Sequence, residues 1–185
     1  SKMAVLSNTM LQGTTAASDG DDAYQISKSV RLNSGDNPNI TRTITHSGSR
    51  QAWTYSCWVK RSLFSTYDQV FSSATDGNNY WIFELSSDDT IKIFQKSGGA
   101  DKLVASTGNY FRDPAAWYNL VFTVDTPHAV QKERVKLWVN GLLVPLTFTT
   151  APAQNLKTEW NNSAITTHKM GHAALDGAGD LDGYL

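Results

Sequence analysis

Two alternating apolar runs, closed by a tight-turn signal, constrain this chain more than any other feature. In Tyr118-Asn-Leu-Val-Phe-Thr-Val-Asp125, the residues Tyr118, Leu120, Phe122 and Val124 fall on one side, with Asn119, Thr123 and Asp125 on the other. In Arg134-Val-Lys-Leu-Trp-Val-Asn140, the residues Val135, Leu137 and Val139 alternate with Arg134, Lys136 and Asn140. Successive side chains of a strand point to opposite faces, so each run presents one face to a core and one to water. Asn140-Gly141 supplies the positive φ that a two-residue hairpin turn requires, and Leu142, Leu143 and Val144 resume the apolar run. A sheet built from such strands is antiparallel.

The remainder of the chain repeats this grammar. Val30 and Leu32 form a brief strand, followed by Ile40, Arg42 and Ile44. Residues 53–61 form a strong strand with Trp53, Tyr55, Cys57 and Val59 on one face and Thr54, Ser56, Trp58 and Lys60 on the other. Val70-Phe71 reads as a short strand before a turn at residues 76–79. Residues 80–85 and 90–95 make a hairpin with Ile91 and Ile93 inward and Lys92 outward, and a strand at 103–106 follows Gly98-Gly99. Residues 147–167 lack periodicity, 168–172 read as a short strand, and 176–180 as a loop. No helical period of ten or more residues stands out. About ten to thirteen short strands separated by turns predict an all-β, two-sheet antiparallel sandwich of jelly-roll type.

Composition narrows the function classes. The 185 residues carry a formal net charge of −1, which gives no electrostatic case for nucleic acid. The chain lacks the long apolar run of about 18 residues that a membrane-spanning helix needs, so no membrane insertion is expected. Its N-terminus is too broken by Ser, Asn and Thr to read as a signal peptide. Residues 1–28 form an arm or linker whose apolar set, Val5, Leu6, Met10 and Leu11, could dock on another surface or simply fray. Residues 29–185 form the domain. The single cysteine, Cys57, rules out an intrachain disulfide and reads as an inert thiol.

Several segments in order, Tyr55-Ser-Cys-Trp-Val-Lys60, Val70-Phe-Ser-Ser73, Trp117-Tyr-Asn-Leu-Val-Phe-Thr-Val-Asp125, Val135-Lys-Leu-Trp-Val-Asn-Gly141, Met170-Gly171 and Leu181-Asp-Gly-Tyr-Leu185, resemble the laminin G-like, concanavalin A-like jelly-roll family. A subgroup from tailed bacteriophages is more closely similar. It shares segments like Met3-Ala-Val-Leu-Ser-Asn-Thr-Met-Leu11, Ser29-Val-Arg-Leu-Asn33, Trp58-Val-Lys-Arg-Ser62 and Phe111-Arg-Asp-Pro-Ala-Ala-Trp-Tyr118. The resemblance implies a non-enzymatic virion protein, a fibre, tail or capsid-surface component that displays a lectin-like module. Its implied partners are other virion subunits, including copies of itself, and a host-surface glycan. The alternative is a stand-alone carbohydrate-binding module. In the family, the segment resembling residues 181–185 runs on into a further core strand. The expectation here is therefore a fragment, or a strand supplied by a neighbouring chain.

Candidate chemistry is sparse. Glucan hydrolases of this fold resemble one another in a Glu-x-Asp-x-x-Glu strand that pairs nucleophile and general acid. Glu84, Glu133 and Glu159 lie far apart with no such pattern, and no Gly-x-Ser-x-Gly elbow is present. His168 and His172, four apart on a strand, sit about 13 Å from each other and read as solvated or locally hydrogen-bonded. Calcium, the one cofactor with candidate ligands, could draw on Asp76, Asn78 and Asn79 or on Asp176, Asp180 and Asp182, although turns use the same residues for their own geometry. Sugar contacts call for exposed aromatic faces beside amides. Trp58 and Trp138, each on the polar face of its strand, are the leading candidates, with Asn79 and Trp160 beside them. The competing reading is that Trp58 and Trp138 cap the core under loops. Trp53 and Trp117 are expected to pack.

Overall fold

The structure is a computed structural model that describes residues 28–64, 66–165, 167–175 and 179–185. The arm residues Val5, Leu6, Met10 and Leu11, and Asp176 among the calcium candidates, lie outside the described residues. In chain order the strands are β1 (Arg31–Leu32), β2 (Ile40–Thr43), β3 (Ala52–Arg61), β4 (Asp68–Asp76), β5 (Asn79–Leu85), β6 (Ile91–Ser97) and β7 (Ala100–Thr107). They continue with β8 (Tyr118–Asp125), β9 (Val135–Val139), β10 (Leu142–Val144), β11 (Leu146–Thr150), β12 (Thr167–Met170) and β13 (Gly183–Tyr184). One sheet has six strands in the order β1-β13-β3-β8-β9-β10 and the other seven, in the order β11-β7-β6-β5-β4-β12-β2. The expected two-sheet antiparallel jelly roll is what the chain forms. Among the described residues, no helix is long and apolar enough to cross a membrane.

The β8–β9 hairpin folds as its alternation dictates. Leu120 faces Val139, Phe122 faces Leu137 and Val124 faces Val135, and all six are buried. Asn140 and Gly141 take φ values of 51° and 78°, the left-handed pair that a tight hairpin turn needs. Arg134 departs from the pattern. Read as solvent-facing, it is only 7% exposed, and its guanidinium donates to the carbonyls of His128, Ala129 and Pro152. It ties the loop between the strands to the loop after β11.

An aromatic cluster joins the sheets. Phe71 stacks on Phe83 with centroids 5.0 Å apart and on Tyr55 at 3.9 Å, and Trp53 meets Trp81 edge-on at 5.3 Å. Such pairs add about 0.5–1.5 kcal/mol each beyond burial. Trp160, expected as an exposed contact, belongs to this cluster, 4.8 Å from Phe71 and 4.6 Å from His168. Cys57 packs against the core, and burial pushes its thiol up to about 12, which suits an unreactive cysteine.

Two strands exceed expectation. Around Val70-Phe71, β4 spans nine residues because Ser72 and Ser73 are buried with their hydroxyls donating to the carbonyls of His172 and Glu159. The Thr-rich segment after Pro145 forms β11, paired with β7 through Leu146, Thr147 and Phe148. His172, expected in a strand, lies just beyond β12.

Candidate functional site

Because Tyr55, Cys57 and Val59 turn inward on β3, strand alternation sends Ser56, Trp58 and Lys60 to the outer face of the six-stranded sheet. Pairing extends that face sideways. Ser56 lies opposite Val121, Val121 opposite Trp138, and Trp138 opposite Leu143. Trp58 lies opposite Asn119, and Lys60 opposite Tyr184 of β13. The sheet spacings put the Cα atoms of Trp58 and Trp138 about 12 Å apart on one face. Both tryptophans are half-buried and neither belongs to the core cluster or packs against it. They therefore do not cap the core. Trp117, expected to pack, also stands outside that cluster, and its ring meets Tyr184 on this face at 5.9 Å.

Polar groups frame the tryptophans. The Asn140 side-chain oxygen accepts from the Asn119 amide at 2.8 Å, fixing the turn beside Trp138. Leu143, 59% exposed, extends the apolar strip to the sheet edge. Two half-buried tryptophans on one sheet face, flanked by amides and a lysine, form a platform on which a pyranose ring can stack.

The other candidates lie elsewhere. Asn79 belongs to the seven-stranded sheet and spends its side chain on a turn, accepting from Gly98 N and donating to Asp76. Asp76 also accepts from the backbone of Asn78, so this trio stabilises its own loop. The Asp180 carboxylate contacts Nδ1 of His172, and Asp182 bonds Arg31 at 2.8 Å and the Ser34 hydroxyl at 3.2 Å. Among the described residues, no group of three or more His, Cys, Asp and Glu is placed to hold a metal ion. His168 is buried, and its Nε2 accepts from Asn161 N. Burial, reinforced by Arg42, holds its pKa down to about 4.

Glu84, on the outer face of the seven-stranded sheet, lies between Gln69 and Lys92. It is 5% exposed, and burial pushes its carboxyl up to about 7. A carboxyl raised in the folded state contributes stability that is complete below its unfolded value and is lost as pH rises through 7. Glu84→Gln should therefore remove a loss of up to roughly 3 kcal/mol between pH 5 and pH 8. Denaturant midpoints at the two pH values measure this, and identical pH slopes for variant and wild type would contradict it.

Known proteins share this architecture. The LG4-5 domains of the mouse laminin alpha1 chain superpose with a TM-score of 0.60 at 13% identity, covering 91% of this chain and 42% of that one. The CBM40 domain of Ruminococcus gnavus IT-sialidase, solved with alpha2,3 sialyllactose, gives 0.56 at 9% identity and covers 80% and 88%. A NanB sialidase from Streptococcus pneumoniae gives 0.57 at 19%, covering 84% of this chain but 24% of the sialidase. At these identities the likeness is one of fold. No curated protein matches the chain. A laminin G family model, described as the concanavalin A-like lectin/glucanases superfamily, matches residues 19–184, and the chain belongs to that family.

Proposed function

We propose that this chain is a non-catalytic carbohydrate-binding domain that takes its glycan on the outer face of the six-stranded sheet. The observation carrying this reading is that Trp58 and Trp138 stand outside the core on one face. The sialyllactose-bound CBM40 neighbour supports a sugar as the ligand class. A hydrolytic role is disfavoured because Glu84 is buried, with Gln69 and Lys92, not a second carboxylate, as its cross-strand neighbours.

Trp58→Ala and Trp138→Ala should each weaken binding on a glycan array about tenfold or more, the size of a lost stacking anchor. Thermal unfolding should stay close to wild type, since neither ring supports the core. Absence of any glycan binding by the wild type would refute the reading and leave architecture as the function.

We further assign the domain to a tailed-phage virion, as part of a fibre, tail or capsid surface, where it serves host attachment among other subunits and copies of itself. The support is the ordered similarity of the arm and strand segments to that subgroup. In this reading Val5, Leu6, Met10 and Leu11 dock the chain onto a neighbouring subunit. Deleting residues 3–12 should abolish incorporation into particles while the domain still folds. Particles carrying the truncated chain at normal occupancy would refute the docking role.

A further inference from the structure

We infer that the glycan taken on this face bears an acidic group, a carboxylate or a sulfate, held by Lys60; this inference rests on the carbohydrate-binding reading above. Lys60 sits on the outer face two residues from Trp58. Tyr184 is its partner on β13, and the β3–β8 register, which pairs Val59 with Tyr118, sets Trp117 on its other side. The strands flanking β3 are about 9.6 Å apart. The rings of Trp117 and Tyr184 nevertheless approach to 5.9 Å, so they lean toward each other across β3 at the level of Lys60. The lysine is half-buried.

Among the described residues, the strands of this sheet carry three cations on the outer face, Arg31, Lys60 and Lys136, and two are neutralised. Arg31 bonds Asp182 at 2.8 Å, with its guanidinium 5.3 Å from the Tyr184 ring, and Lys136 bonds Glu133 at 2.6 Å. Among the described residues, Lys60 alone of the three has no carboxylate partner. Trp58, Trp117 and Tyr184 surround the Lys60 position in the sheet, so a sugar stacked on these rings lies within reach of a charge-assisted hydrogen bond from the lysine. A neutral sugar offers this ammonium only uncharged hydroxyl oxygens. An acidic sugar stacked on Trp58 or Trp117 also supplies the missing counter-charge, a gain of about tenfold or more.

The test is a glycan array of matched pairs: sialylated and desialylated, sulfated and desulfated, uronate and uronate methyl ester. It is probed with wild type, Lys60→Gln, Lys60→Arg and Trp138→Ala. The wild type should prefer the acidic member of at least one pair by about tenfold, and added salt should erode that preference. Lys60→Gln should abolish the preference yet keep the wild-type unfolding midpoint, Lys60→Arg should retain it, and Trp138→Ala should weaken both members alike. The pair that shows the preference identifies the acidic group. Equal binding to acidic and neutral members, or a preference that survives Lys60→Gln, overturns the role of Lys60 and leaves the sugar-binding face standing. Failure to bind any glycan overturns both.

Discussion

Arg61→Ala is expected to destabilise the domain by about 3–5 kcal/mol, the cost of stranding a buried charge. Arg61 is fully buried, its Nε donating to Asp68 at 2.7 Å, Nη1 to Asp89 at 3.2 Å and Nη2 to the Thr66 carbonyl at 3.2 Å. Asp89 retains Arg112 at 2.8 Å when Arg61 is lost. Among the described residues Asp68 has no second ion-pair partner, so its carboxylate would stay buried with hydrogen bonds from the Thr66 hydroxyl and the Asp182 backbone but no counter-charge. Total stability of a domain is only about 5–15 kcal/mol, so the variant should unfold at far lower denaturant. The pH dependence carries a further signature. Burial raises the Asp68 carboxyl to about 6 against the pull of Arg61. Removing Arg61 raises it further, so the loss should be smaller at pH 5, where Asp68 can take a proton, than at pH 8. Denaturant unfolding at both pH values is the measurement. A variant within about 1 kcal/mol of wild type at pH 8 would show that the network is dispensable.

Gly183→Ala should be comparably damaging for a purely steric reason. Gly183 lies on β13 between Leu32 of β1 and Arg61 of β3. A Cβ at this position would collide with the carbonyl oxygen of Lys60. That atom is backbone in the middle of a sheet and cannot swing aside as a side-chain end could. Relief requires β13 to move away from β3, taking β1 and Tyr184 with it. Overpacking of this kind costs roughly 3 kcal/mol or more. A lowered melting temperature and faster amide exchange at residues 183–185 are the expected readouts. Gly77→Ala is the control, because nothing lies within 4 Å of a Cβ there. Equal stability of the two variants would contradict the argument.

Both effects arise at places where the sequence looks ordinary. Arg61 reads as the last residue of a strand and Gly183 as one position of the short segment 181–185 that follows a loop. Their importance comes from Asp68, Asp89 and the Lys60 carbonyl, which only the folded chain brings to them. The same distinction explains β4: two serines interrupt its apolar pattern, and their burial depends on carbonyls about a hundred residues away in the case of Ser72 and 86 away in the case of Ser73. Trp160 sits in a polar stretch with no period, and its packing on Phe71 depends on a loop that local pattern does not describe.

The sequence by itself determined the strand character, the inward and outward faces of β3, β8 and β9, and the Asn140-Gly141 turn. Each depends on a two-residue period or a single residue's φ, both local properties. It also set Trp58 and Trp138 on the outward side of their strands. Tertiary structure alone decided that these two rings share one sheet face outside the core, and that Trp117 and Tyr184 join them across Lys60. Sheet neighbours follow strand order, here β13-β3-β8-β9, and strands far apart in the chain become adjacent only once the sandwich has closed.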